Sequence, residues 1–211
     1  MKTEAEITRS SPRKIWIALI VTAVIALIAA FLLDQATANW IATHSSPELK
    51  RVMRIVSRVG DWPAHMIAGA IGLAVAFTVG SKVWMRIFLA MLIALALAGL
   101  STRAMKITSG RARPSVKTEA RWNGPQLSSK YQAFPSGHTA ASTAFFVALF
   151  LARKKIGRPL LLIPILIAAS RMILGAHYLS DVTFAAIIGV ICAFLAVSWL
   201  SIYHRRSAIS S

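Results

Sequence analysis

Residues 86–114 run RIFLAMLIALALAGLSTRAMKITSGRARP, a long apolar stretch that ends in a cluster of cations. A hydrocarbon layer about 30 Å thick takes about 20 helical residues to cross, and residues 86–105 supply that length. The stretch therefore predicts a membrane-crossing helix with a basic exit. Ionisable groups beside a span are costly, so Lys106 and Arg113 call for either partners or a task.

Similar apolar stretches recur on both sides of this one. They predict helices over Trp16–Leu33, Ala64–Gly80, Arg86–Met105, Gly137–Ala152, Leu160–Ala176 and Asp181–Ser201. The expected fold is all-α: a polytopic membrane protein with six transmembrane helices and its active site at one membrane face. A short tail over 1–15, a six-helix domain over 16–203 and a tail over 204–211 complete the expected organisation. The second and fourth helices are rich in small residues, which let helix backbones approach closely in lipid. Pro164 removes a backbone donor and is expected to kink or offset the fifth. The run from Ile17 to Leu33 exceeds the usual core of a secretion signal, so the first helix is expected to be retained.

The composition agrees: 211 residues, 56% hydrophobic and only 15% charged, too apolar for an ordinary soluble domain. The net charge of +17 would suggest nucleic acid in a soluble chain. Here the basic residues lie between apolar runs and no nucleic-acid motif accompanies them, so no nucleic-acid partner is expected. Cys192 is the single cysteine, which excludes an intrachain disulfide and a thiolate metal cluster.

Two longer connections interrupt the helices. Asp34–Pro63 holds a short amphipathic helix around Pro47–Val59, with Leu49, Val52, Met53 and Val56 on one side and Lys50, Arg51, Arg54 and Arg58 on the other. It fits a helix in the membrane interface or a solvated loop helix. Lys106–Pro135 is basic and has little periodicity. Six spans put both termini on one side. Clusters such as Arg153-Lys154-Lys155 and Arg205-Arg206 tilt that side toward the cytoplasm of a bacterial inner membrane. Trp16, Trp84 and Trp199 then fall near one interface, and Trp40, Trp62 and Trp122 near or beyond the other.

Three polar segments converge on one face in this arrangement. They are Lys106–Pro114, Pro135–His138, and Ser170 to Asp181. Lys106, Arg113 and Arg171 offer three cationic groups, and arginine forks match phosphate oxygens. Ser136 and Gly137 open a helix, where free amides and the dipole favour an anion. His177 and Asp181 stand four residues apart. The carboxylate could accept one ring proton, leaving the other nitrogen to attack phosphorus. His138, beside the anion cradle, could protonate the leaving oxygen and later activate water. With three cations meeting the phosphoryl charge, no metal and no cofactor is expected.

At these residues the chain resembles the phosphatidic acid phosphatase type 2 superfamily. Its first motif is Lys, six residues, then Arg-Pro, as at Lys106, Arg113 and Pro114. The second is Pro-Ser-Gly-His, as at Pro135, Ser136, Gly137 and His138. The third is Ser-Arg, five residues, His, three residues, Asp, as at Ser170, Arg171, His177 and Asp181. No position departs from the pattern, and the resemblance covers about Ala64–Leu200. It implies a six-helix core with the site at the membrane face. It also implies His177 as nucleophile, His138 as acid/base and Asp181 as orienter, with Lys106, Arg113, Ser136, Gly137 and Arg171 binding phosphate. The soluble vanadium haloperoxidases share these residue types, but six spans argue against that branch.

Taken singly, several of these residues have plainer roles. Lys106 and Arg113 fit interfacial anchoring, Arg171 and Asp181 could pair with each other, and His177 could be structural. Arg111, Lys117, Arg121 and Lys130 fit either headgroup attraction or solvated loop charge. His44 and His65 fit the interface, and Asp61 could approach the site or end a loop. The expected function is a lipid phosphatase acting through a phosphohistidine. A lipid phosphotransferase and a non-enzymatic anion or lipid transporter are the alternatives. The expected partners are a phosphorylated lipid substrate and membrane lipids, with no obligatory protein partner.

Overall fold

The computed structural model describes residues 12–116 and 118–207, and among them every regular element is a helix or a turn of one. The helices are α1 Pro12–His44, α2 Pro47–Val59, α3 Trp62–Thr78, α4 Lys82–Ser109, α5 Gly137–Ala152, α6 Lys154–Leu160, α7 Leu162–Ile173 and α8 Leu179–Ser207. The expected tails fall largely outside the described residues, as does Lys117.

Capping residues set several boundaries. Ser46 accepts from the Leu49 amide, with Pro47 next in the chain; Asp61 accepts from the Trp62 amide, with Pro63 close behind. Gly110 ends α4 at φ +55°, and a Cβ there would fall 1.7 Å from the Gly124 carbonyl oxygen. Only glycine permits the loop after α4 to fold back at that point.

The bundle inverts the pattern of a soluble protein. Its centre is alanine: Ala94 and Ala98 of α4, Ala140, Ala144 and Ala148 of α5, and Ala185 and Ala193 of α8 are fully buried. A Cβ on Gly189 would lie 2.7 Å from the Thr143 side chain and 2.8 Å from the Ala140 carbonyl oxygen. The α5 and α8 backbones thus nearly touch, the close approach small residues provide in lipid. Large side chains point outward instead, with Leu32, Phe77 and Leu100 each more than 70% exposed. So much outward apolar surface needs a hydrocarbon solvent.

Four helical stretches are long and apolar enough to cross a membrane: Arg13–His44, Lys82–Ser109, Lys154–Ile173 and Leu179–Leu200. The α2–α3 pair, bent by 45°, makes five if it counts as one span. The expected count of six is not matched, because α3 has 17 residues and α5 has 16. At 1.5 Å per residue each is about 25 Å long, short of the hydrocarbon thickness. The expected offset in the fifth helix is a break at Leu161, between Pro159 and Pro164.

The largest difference is in α1. The expected connection from Asp34 does not begin there; the helix runs on to His44. Asp34 is fully buried inside it, and its carboxylate is satisfied by Arg111 and Ser180. A charge that finds partners does not end a helix.

Candidate active site

The three polar segments meet at one end of the bundle, tied by backbone hydrogen bonds. The Ser136 amide donates to the Asp181 carbonyl at 3.1 Å, the Ala133 amide to Arg111 at 3.0 Å and the Ser115 amide to Gly175 at 3.3 Å. The loop from Gly110 to Pro135 therefore serves as a frame, despite its lack of periodicity. Ser136 caps α5 and is fully buried. A Cβ on Gly137 would lie 3.5 Å from Lys106 Cε and 3.9 Å from its Nζ. The lysine head thus lies beside the first residue of α5, where amides point out of the helix.

The cations surround this helix start. Lys106 Nζ donates to the Gln132 carbonyl at 3.1 Å, and Arg171 Nη1 donates to Ser57 Oγ at 2.5 Å. The charges of Arg113 and Arg171 both act on Lys106. Among the described residues neither arginine is in an ion pair, and the Nε of each is buried with no hydrogen-bond partner. Unsatisfied buried donors are rare and costly, and here two of them belong to the expected phosphate binders.

His177 is 3% exposed, and its Nδ1 lies 2.6 Å from the Ala133 carbonyl oxygen. A carbonyl only accepts, so Nδ1 carries the hydrogen and Nε2 of the neutral ring holds the free lone pair. Burial pushes the imidazole down to about 4, with the Asp181 carboxylate opposing the shift and Lys106 adding to it. The ring is thus neutral over most of the pH range.

Asp181 takes a different place from the one expected of a direct orienter. Its Oδ2 is 3.7 Å from His177 Nδ1, and it accepts from the Tyr178 amide at 2.8 Å. Its other oxygen pairs with Arg111, not with Arg171. Arg111 is 1% exposed and bridges Asp181 to Asp34, with the Tyr178 and Trp122 rings 4.6 and 4.8 Å from its guanidinium carbon. The reading of Arg111 as a solvated or headgroup-facing charge is overturned by this burial. The clue lay in Asp34, a carboxylate within an apolar run that had to find a cation.

His138 lies close enough to Arg171 and Lys106 to feel their charges. Its Nε2 is 3.5 Å from Oδ1 of Asp61, so Asp61 does approach the site from the cap of α3. His65 is buried against Phe145 and Phe146 and bound to the Asp61 carbonyl, while His44 stays exposed. Among the described residues no three His, Cys, Asp or Glu side chains are grouped to hold a metal ion.

A groove of about 620 Å³ leads away from His138 between α3 and α4. Gly137, His138, Lys106 and Arg103 line its polar end, and Trp62, Ala96, Gly99 and Leu100 its apolar part. A larger groove of about 730 Å³, also between α3 and α4, runs past Phe77, Met85 and Leu89 and carries none of the expected site residues.

A sequence profile described as the PAP2 superfamily matches residues 87–205. Undecaprenyl-diphosphatase BcrC of Bacillus subtilis (strain 168) is 36% identical over 63 residues, 30% of this chain and 33% of that protein. The match thus spans about a third of that relative's length. The crystal structure of the first transmembrane PAP2 type phosphatidylglycerolphosphate phosphatase from Bacillus subtilis has a TM-score of 0.66 at 22% identity. That likeness covers 87% of this chain and 94% of the other. The crystal structure of Aquifex aeolicus LpxE has a TM-score of 0.56 at 24% identity, covering 79% and 95%. At these identities the two structures show a shared fold. The profile match runs from α4 into the last turns of α8 and takes in all three motifs, and by it the chain belongs to the PAP2 superfamily.

Proposed function

We propose that this integral membrane protein is a lipid phosphatase that works through a phosphohistidine on His177. The observation that carries the reading is the groove beside His138, polar where Lys106 and Gly137 meet it and apolar along Trp62, Ala96, Gly99 and Leu100. It fits a molecule with a phosphate at one end and hydrocarbon at the other. The names of the bacillary relatives, one acting on undecaprenyl diphosphate and one on phosphatidylglycerolphosphate, support the same substrate class.

In this reading Lys106, Arg113, Arg171, the Ser136 hydroxyl and the Gly137 amide hold the phosphoryl oxygens. The Nε2 lone pair of His177 attacks phosphorus as the bond to the lipid oxygen breaks. His138 gives that oxygen a proton, which places the departing lipid in the groove that His138 lines. Water then enters from the His138 side, loses a proton to His138 and displaces phosphate from His177. The Ala133 carbonyl keeps Nδ1–H in place, and the Asp181 charge stabilises the ring as it becomes positive. The cations supply what a metal would, so turnover is expected to persist in excess chelator.

The chain crosses the membrane six times in this reading, with the short α3 and α5 packed among the longer spans. Both termini then face the cytoplasm and the site faces outward.

The test is phosphate release by the purified protein from a panel of lipid phosphates in detergent, with acid-labile phosphoenzyme trapped in parallel. Free phosphate and labelled His177 are expected. Transfer to an added acceptor lipid without phosphate release would make the protein a phosphotransferase, and turnover without phosphoenzyme would remove the nucleophile.

A further inference from the structure

Arg103 is not among the motif residues, yet it lines the groove one helical turn before Lys106. Positions three apart on a helix are neighbours, about 5–6 Å between Cβ atoms, so the two cations stand in file along the groove wall. One residue holds both. The Gln132 carbonyl accepts from Lys106 Nζ at 3.1 Å, and its side-chain Oε1 accepts from Arg103 Nη1 at 3.4 Å. Gln132 is itself 6% exposed and fixed by donating its amide to the carbonyls of Gln126 and Leu127. Arg103 forms no ion pair among the described residues, and its bond to Gln132 is long.

The order along α4 is informative. Lys106, beside Gly137, comes first, then Arg103 one turn back, then Gly99, Leu100 and Ala96, all lining the groove. A substrate whose terminal phosphoryl sits at Lys106 therefore presents its next group to Arg103 before its hydrocarbon reaches Leu100. In a lipid monophosphate that group is an uncharged carbon chain. In a lipid diphosphate it is a second phosphoryl, joined to the first by one bridging oxygen.

We propose that Arg103 is a second phosphoryl-binding position and that it makes lipid diphosphates the favoured substrates. The inference rests on the phosphatase reading and deepens it. His177 would attack the terminal phosphorus, and the bond from that phosphorus to the bridging oxygen would break. The leaving group is then the lipid monophosphate, which takes the bonding electron pair and gathers negative charge on its phosphoryl beside Arg103. A cation there stabilises the transition state more than the bound substrate.

The experiment compares the wild-type chain with Arg103→Gln and Arg103→Lys in one detergent. The probes are a prenyl diphosphate, the prenyl monophosphate of the same tail, and phosphatidylglycerol phosphate, whose second phosphate lies beyond a glycerol. The wild type is expected to prefer the diphosphate in kcat/KM. Arg103→Gln is expected to cut the diphosphate-to-monophosphate ratio about ten- to a hundredfold. Arg103→Lys, which keeps the charge, is expected to recover most of it and serves as the folded control. Equal losses on both prenyl substrates, a wild-type preference for the monophosphate, or a loss confined to phosphatidylglycerol phosphate would each overturn the proposal. Release from none of the three by the wild type would instead bring down the phosphatase reading.

Discussion

Arg111 and Arg113 share one loop, one residue type and nearly one address, and their surroundings are opposite. Arg111 is enclosed: two carboxylates, a serine hydroxyl and several aromatic rings take up its charge. Arg113 is in no ion pair among the described residues; the Nε of both arginines is buried without a partner, so the difference lies in the carboxylates. The contrast separates two uses of a guanidinium near a membrane. A neutralised arginine joins helices, whereas an unneutralised one, fixed in place, attracts an anion from outside the chain. Lys106 and Arg171, likewise held by neutral oxygens and not by carboxylates, stand with Arg113.

Asp181 joins Arg111 to His177, Arg171 acts on the same ring, and the largest expected effect is there. Replacing His177 with alanine should lower turnover about 10⁴-fold or more and abolish the trapped phosphoenzyme. Normal phosphate release by that purified variant would remove the centre of the comparison.

The next effect sets the arginines directly against each other. Arg113→Met should cost about 10²- to 10³-fold in kcat/KM while leaving the thermal midpoint in detergent near that of the wild type. Arg111→Met should instead destabilise the fold by about 3–5 kcal/mol, because Asp34 and Asp181 lose their shared partner. A stable Arg111→Met protein, or an unstable Arg113→Met protein, would erase the distinction.

A smaller effect concerns pH. Burial disfavours the charged form of His177, so its lone pair stays available down to about pH 4 instead of 6.5. The acid limb of kcat/KM should lie correspondingly low, giving about 30-fold more activity at pH 5 than an ordinary histidine would allow. A limb centred on 6.5 would show that the ring is not held neutral.

The smallest effect is expected at Asp61. It is 3.5 Å from His138 and half exposed, so water screens much of its charge. Asp61→Asn should slow turnover by only about three- to tenfold. A loss as large as that at Arg113 would promote Asp61 to a principal role.

The residues expected to bind phosphate were legible in the sequence, because each motif joins residue types whose chemistry is specific, and the structure brings the three motifs to one end of the bundle. Arg111 was hidden because its meaning depends on Asp34, a residue 77 positions away on another helix. Ala133 was hidden for a different reason: it acts through a carbonyl that every residue possesses. Asp61 could be read as a loop end or as a site residue, and it both caps α3 and reaches His138. The helix count was the weakest reading, since hydropathy finds α3 and α5 but does not say whether 17 or 16 residues suffice to cross.

The carboxylate inside α1 bears on how the chain is made. Asp34 emerges from the ribosome well before Arg111, and before Ser180, which supplies it with both an amide and a hydroxyl. Until those arrive, the first helix carries an acid that hydrocarbon does not welcome. Its final seating on the rest of the bundle must therefore await the start of the last helix. A nascent chain halted before Arg111 would leave that acid without its cation, and one halted before Ser180 would leave it short of an amide and a hydroxyl.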